Sequence, residues 1–568
     1  MFRKRIHATA LPVVLVWAGL GCGTGLDAGS GDDDDDDGAF DAGASGQCFS
    51  SSECPTGWEC SEFGVCVPPS TSGDGGVIPP EVEYELGQPA SSQRFVYVAM
   101  TAQDALAKID GATLAVTSVA VGESPEVVTT IPGTDSAVVL DTVVGTATVV
   151  RPAVGADDKD IVATLPNLNR LDVDPSGRFA VIWFDLNKAI EDAGGLGFVD
   201  QVGSFQDVTV VSLAPGQAEA VDLTVGFRPR EVEFDRTGDH AYVVTEDGVS
   251  VVDLAVAAGG APGFVPPIPV TTDAFGDPAG LEVNVVATGD YAVVRQPGVA
   301  ALRVVRMTGA DAGAGWDLAL TAPPTDIDLS PDGARVYAAH RDPGALSIID
   351  IPGDLAAPAG IETIDLAGAT SGSLALSADG SRGLLFTNAT LDERITLVAL
   401  DQPGYPHLTW PLQKSVRAVG LAPSGGSALV LHAKAPGDPA DAADFDDYID
   451  RSHGYSLLDL ASGFAKLQVT AVEPGPFAYA PSSAKIYVAL DGGDDEAAVT
   501  AMQIVEVATG VVHTVDLGSP PSAVGILPSA GMAFVSQRHA LGRMAFVDLA
   551  SDAVRTVTGF DLNSQIID

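Results

Sequence analysis

The chain has 568 residues and a formal net charge of −47, from 29 Lys and Arg against 76 Asp and Glu. An acid excess of this size excludes nucleic acid and bare anionic lipid as partners, because both need clustered basic side chains. The acids are spread along the chain, which marks a solvated, self-repelling surface rather than one acidic centre.

Residues 1–21 open with Arg3, Lys4 and Arg5 and continue as an apolar stretch from Ala8 to Leu20. A positive start, a short apolar middle and small residues at the end predict an exported chain with a signal peptide. The stretch is too short for an ordinary membrane span. Gly19-Leu20-Gly21-Cys22 resembles a bacterial lipobox, which implies lipidation of Cys22 and attachment through that lipid alone. Gly19 departs from the usual Leu of that motif, and Gly23 after the Cys is compatible with outer-membrane delivery. Losing residues 1–21 removes three basic groups and brings the charge to about −50.

Residues 22–47 hold that Cys and a Gly, Ala, Ser and Asp segment with an unbroken run from Asp32 to Asp37. Nothing in it can bury apolar surface, so it is expected to be a disordered tether spanning about 25–30 Å. Residues 48–66 form a Cys-rich mini-module with Cys48, Cys54, Cys60 and Cys66. In an exported chain these four predict two disulfides, with three connectivities open. A zinc site is the rival, though zinc ribbons favour closer Cys pairs. Cys54 to Cys60 resembles small extracellular EGF-like or Dickkopf-like modules over about 20 residues. A Pro, Ser and Gly linker, residues 67–93, follows.

Residues 94–568 repeat one pattern about ten times: apolar strand, tight polar turn, apolar strand. Asp326 to Tyr337 is the clearest copy, with its turn at Ser330-Pro331-Asp332-Gly333. Related turns recur about 43 to 61 residues apart, a spacing that fits four-stranded units. Val, Ile and Leu fill the strands in near-continuous runs, as strands covered on both faces require. No apolar stripe of helical period and length appears after residue 21, so the fold class is all-β. A lone four-stranded unit cannot shelter both faces, so neighbouring units must supply the core.

Ser330 to Gly333, then Val336-Tyr337 and Ser347-Ile348-Ile349-Asp350, resemble the YVTN or lactonase-like β-propeller repeat. The resemblance implies a propeller of four-stranded blades, as one closed ring or two rings. It implies no single activity, since that superfamily holds enzymes, surface proteins and binding scaffolds. The chain enters the repeat at its second strand, Phe95 to Val98, and ends on a first-type strand, Ser564 to Ile567. Pairing these ends in one composite blade would close the ring and remove the exposed sheet edge.

Asp141, Asp185, Glu246, Asn388 and Asp491 stand at the end of the second strand of their copies, with His340 and His432 one position earlier. Such a rim offers carboxylates and imidazoles to a cation or basic ligand, while Asp and Asn also cap turns routinely. Two insertions leave the same slot, Asp185 to Phe205 and His432 to Tyr455, and loops of that length are uncommon without a role. The second contains Asp441, Asp444, Asp446, Asp447 and Asp450, a candidate calcium set, against a plain acidic loop. Asp110, Asp253, Asp350, Asp459 and Asp548 recur once per copy at the end of the third strand, as turn formers do.

Gly-x-Ser-x-Gly, His-Glu-x-x-His, Cys-x-x-Cys-His, P-loop and dinucleotide fingerprints are absent. The sequence therefore favours binding over turnover and calls for no cofactor other than calcium. It reads as a lipid-anchored binding or scaffold module of the bacterial envelope, at the outer membrane, with a protein, glycan or small ligand as partner. A lactonase-like or metal-dependent hydrolase using Asp141, Asp185 or Glu246 is the alternative, and a purely structural envelope protein a third reading.

Overall fold

The computed structural model describes residues 59–60, 66–67, 80–82 and 90–560, apart from 196–198, 200–201, 262, 272–279, 367, 370 and 492–498. The signal segment 1–21, Cys22, the tether 22–47, Cys48, Cys54 and the terminal strand Ser564 to Ile567 lie outside the described residues. In the Cys-rich region Glu59–Cys60 pairs antiparallel with Cys66–Val67, and the register sets Cys60 opposite Cys66.

Ten antiparallel sheets follow in chain order, at residues 95–120, 125–163, 170–224, 231–253, 282–319, 326–365, 373–411, 416–470, 474–516 and 521–558. We number them blades 1 to 10. Eight have four strands in meander order, and blades 1 and 4 have three. In blade 4 the outer position is partly filled by a bridge between Val249 and Ile268. In blade 1 Ser91 bridges Val96, and the Tyr97 N–H donates to the Ala90 carbonyl at 2.9 Å. The chain leading into the ring thus covers the inner edge of blade 1 at that point.

Strand residues alternate between two faces. In the second strand of blade 3, Ala180 and Ile182 pack toward blade 2, while Val181 and Trp183 pack toward blade 4. Every neighbouring pair of blades shares one such core, and ten clusters serve ten junctions. The junction of blade 10 with blade 1 decides closure. Leu527, Met532, Phe534, Met544 and Phe546 pack there on Val96, Met100, Ala105, Ala107 and Ile109. The chain is one closed ten-bladed β-propeller, and the two-ring alternative is set aside.

The turn pattern has a packing reason. Gly177 takes φ 73° to close the turn of blade 3, and a Cβ there would sit 2.7 Å from Ile131 Cγ2 in the turn of blade 2. In blades 3 to 7 the turn glycine lies against the preceding blade in the same way. Ser330 and Asp332 hold their own turn, with the Ser330 hydroxyl donating to Asp332 at 2.6 Å and the Ala334 N–H to Asp332 at 3.0 Å. Asp459 and Asp548 accept N–H groups two and three residues on, the turn-forming work that their recurrence implied.

Among the described residues four short α-helices interrupt the strands: α1 Leu186–Ala193, α2 Leu254–Ala258, α3 Gly353–Ala356 and α4 Phe445–Arg451. α1 and α4 lie in the two long insertions. No helix among the described residues is long and apolar enough to cross a membrane.

Candidate functional site: the rim after the second strands

In a meander, alternate turns emerge at opposite ends of the sheet. The connections after every second strand therefore share one end of the ring with those that lead into the next blade. Asp141, Asp185, Glu246, Asn388 and Asp491 lie at this end of their second strands, and their side chains are largely committed to the protein itself.

Asp141 ends the second strand of blade 2 and is fully buried. Its Oδ2 accepts from Thr146 Oγ1 at 2.5 Å. Burial pushes its carboxyl up to about 6, against the lowering effect of Thr146. Asp185 caps α1, accepting the N–H groups of Asn187 at 2.9 Å and Lys188 at 3.3 Å, and pairs with Arg170 at 3.0 Å. Glu246 pairs with Arg228 at 2.7 Å. Asp491 of blade 9 pairs with Arg538 of blade 10. These carboxylates stand in different blades, each with its own partner.

His340 and His432 end equivalent strands in blades 6 and 8, but both rings are buried inside the blade rather than presented at the rim. Each Nε2 meets a third-strand serine, Ser347 at 2.9 Å and Ser456 at 2.7 Å. His432 Nδ1 faces the Ser415 carbonyl at 3.1 Å, so Nδ1 carries the proton and Nε2 accepts. Burial lowers both imidazoles, His432 to about 4.

The acidic insertion of blade 8 is organised by helix capping. Asp438 accepts from the Ala440 N–H at 2.8 Å, and Asp444, at the N-cap of α4, accepts from the Asp447 N–H at 2.9 Å. Asp447 accepts in return from the Ala443 N–H at 2.7 Å and pairs with Arg451 at 2.6 Å. Carboxylates at a helix N-terminus satisfy its orphan donors. Among the described residues no group of three or more His, Cys, Asp or Glu is placed to hold a metal. Asp441, Asp444, Asp446, Asp447 and Asp450 are thus not brought together as a calcium set.

The arginines of this end were not singled out from the sequence. Arg295 pairs with Glu282 at 2.5 Å and donates to the Pro324 and Thr325 carbonyls, at 3.2 and 3.0 Å, where blade 6 begins. Arg417 of blade 8 pairs with Glu473 and donates to the Pro474 carbonyl at 2.8 Å, where blade 9 begins. Arg341 follows directly on His340 and binds Glu81 of the linker at 2.7 Å. The usable signal was position: Arg341 and Arg538 fill the same slot as Asn388 and Asp491, in a chain with only 29 basic residues.

Apolar groups face solvent on the same rim. Phe445 and Tyr448 of α4 are 72% and 42% exposed and stack with ring centroids 6.3 Å apart. Leu391, in the corresponding connection of blade 7, is 73% exposed. A shallow depression bounded by Phe184, Asp185, Phe205 and Arg228 lies beside α1.

No protein-family model matches the chain, and no curated protein matches it. Among solved structures it is similar to the dihydro-heme d1 dehydrogenase NirN in complex with DHE. The identity is 12%, over 85% of this chain and 78% of that one, with a TM-score of 0.42. It is also similar to a structure described as the eukaryotic initiation factor, at 12% identity over 76% and 97% of the two chains, with a TM-score of 0.45. A third is apo AztD from Citrobacter koseri, at 13% identity over 66% and 93%, with a TM-score of 0.36. These likenesses lend nothing to the assignment of a ligand.

Proposed function

We propose that the protein is an exported, lipid-anchored β-propeller of the YVTN-like kind that serves as a binding module at the bacterial cell envelope. Lipid on Cys22 holds it to the outer membrane. The acidic segment 22–47 is the tether, and Cys48, Cys54, Cys60 and Cys66 form two disulfides in a small module before the ring. The partner is a protein, glycan or small ligand of the envelope.

The observation that carries the binding reading is the stacked pair Phe445 and Tyr448, exposed on a capped helix, with Leu391 exposed in the corresponding connection of blade 7. Exposed aromatic groups supply large, rigid contact area and are the usual anchors of interfaces. The described carboxylates of the rim fit the same reading, because they hold blades and helices in place.

Two experiments test the proposal. Membrane fractionation of Cys22→Ala is expected to shift the protein from the membrane to the soluble fraction, and unchanged fractionation contradicts the anchor. Crosslinking pull-down from native envelopes is expected to lose its specific partner in the double variant Phe445→Ala, Tyr448→Ala. Retention of that partner contradicts the assigned contact surface.

A further inference from the structure

The Glu81 side chain is only 5% exposed, although it belongs to the linker rather than to a blade. Its Oε1 lies 2.7 Å from both Nε and Nη2 of Arg341 and accepts from Thr387 Oγ1 at 2.6 Å. Its Oε2 accepts the N–H groups of Asn388 at 2.8 Å and Ala389 at 3.2 Å. The next residue is held by its backbone. The Val82 N–H donates to Asn388 Oδ1 at 2.9 Å, and Asn388 Nδ2 donates to the Val82 carbonyl at 2.6 Å.

Every donor and acceptor of this cradle comes from the ring. Arg341 follows the second strand of blade 6, and Thr387, Asn388 and Ala389 follow that of blade 7. The floor is fixed without the linker. Ser371 Oγ donates to the His340 carbonyl at 2.7 Å, and Thr325 Oγ1 donates to the Gly372 carbonyl at 2.7 Å. Asn388 Nδ2 also donates to the Arg417 carbonyl of blade 8 at 3.1 Å, which sets the amide orientation. Gly372 has no left-handed backbone to explain it, yet a Cβ there would collide with the Glu81 carboxylate. The glycine leaves the space that the carboxylate fills.

We infer that the blade 6–7 cradle is a receptor site for an extended acidic peptide, reading a Glu side chain and the backbone of the residue after it, and that Glu81 occupies it as a built-in ligand. A forked guanidinium with backbone N–H donors recognises a carboxylate with strength and geometry. An amide that pairs with both backbone groups of one residue reads extended chain irrespective of its side chain, as in other modes of peptide recognition. The inference stands on the purified ring and needs neither the envelope address nor the aromatic pair.

The linker also accounts for selectivity. Glu81 reaches blades 6 and 7, whereas Ala90 lies at the inner edge of blade 1, on the other side of a ten-bladed ring. Glu81 and the cradle belong to one chain, so Glu81 occupies the site intramolecularly and a free peptide must compete with it. A peptide in solution therefore meets a blocked site until Glu81 leaves it.

The test uses the full chain and a fluorescent peptide, Pro-Pro-Glu-Val-Glu, copying residues 79–83. Fluorescence anisotropy is expected to show at least tenfold tighter binding to Glu81→Ala than to the unaltered protein. A probe with Gln in place of the first Glu, or the added change Arg341→Ala, is expected to abolish that gain. Equal binding to both proteins overturns the inference, as does no binding to a Glu81→Ala protein that melts like the parent, since Glu81 is then only a latch. If Glu81→Ala does not fold, Glu81→Gln keeps the side-chain volume and is read in the same way.

Discussion

The Lys414 ammonium, buried between blades 7 and 8, donates to the backbone carbonyls of Ile449 at 2.7 Å and Asp450 at 2.8 Å near the end of α4. Burial lowers its pKa, while Asp450 and Glu393 act to raise it. A cation at a helix C-terminus meets the last free carbonyls and the negative end of the dipole. One side chain of the ring thus fixes the insertion that displays Phe445 and Tyr448.

Lys414→Met keeps the apolar stem and removes both bonds. We expect a loss of about 1–3 kcal/mol, because two carbonyls lose a charged donor. The effect is local: hydrogen exchange should accelerate over residues 433–452 and stay unchanged in blades 2 and 3. Unchanged protection of the insertion contradicts the pinning role.

Phe534 fills the junction where blade 10 meets blade 1 and is fully buried. Phe534→Ala is expected to cost about 3–5 kcal/mol, the range for deleting a large core aromatic. Denaturant unfolding should show the ring opening at lower denaturant. A change under about 1 kcal/mol would mean that the ends of the ring are not held together there.

Asp141 gives a pH signature. Its carboxyl stands at about 6 in the fold, above the ordinary 3.8, because of burial. The folded protein therefore holds this proton more tightly than the unfolded chain. Its relative stability is highest below the ordinary value and declines as pH rises toward 6, by about 2–3 kcal/mol at most. Asp141→Asn should flatten this part of the melting profile and raise stability at pH 7. Parallel profiles for the two proteins between pH 4 and 7 would contradict the assignment.

Gly289, at φ 77° in the turn of blade 5, lies against the Tyr242 hydroxyl of blade 4. Gly289→Ala adds both left-handed strain and a clash, and is expected to destabilise by about 1–3 kcal/mol. Adding Tyr242→Phe should recover part of that loss in a double-mutant cycle. Strict additivity would show that the two residues do not meet.

The ring was legible because its signals are local. Ser330 to Gly333 form a turn from their own side chains, and the alternation in Ala180 to Trp183 assigns each residue to one neighbour. The rim was legible only as a slot. What fills it depends on partners far away in sequence, such as Asp491 with Arg538, 47 residues on, or Glu81 with Arg341, 260 residues on. The Asp-rich insertion looked like an ion loop because helix capping and cation binding use the same side chain. Only the short helix from Phe445 to Arg451 distinguishes them. His340 and His432 are the last residues of their strands, one position before the rim slot, and one residue is enough to turn a side chain from rim to core.

The claim that the ring binds through this rim is tested most directly by site-specific photocrosslinking in intact cells. A photoreactive residue replaces Tyr448 on the rim or, in a second protein, Ala461 at the opposite end of the same blade, in the turn after its third strand. One discrete adduct is expected from position 448 and none from 461. Adducts from 461 alone, or the same adducts from both positions, would contradict it.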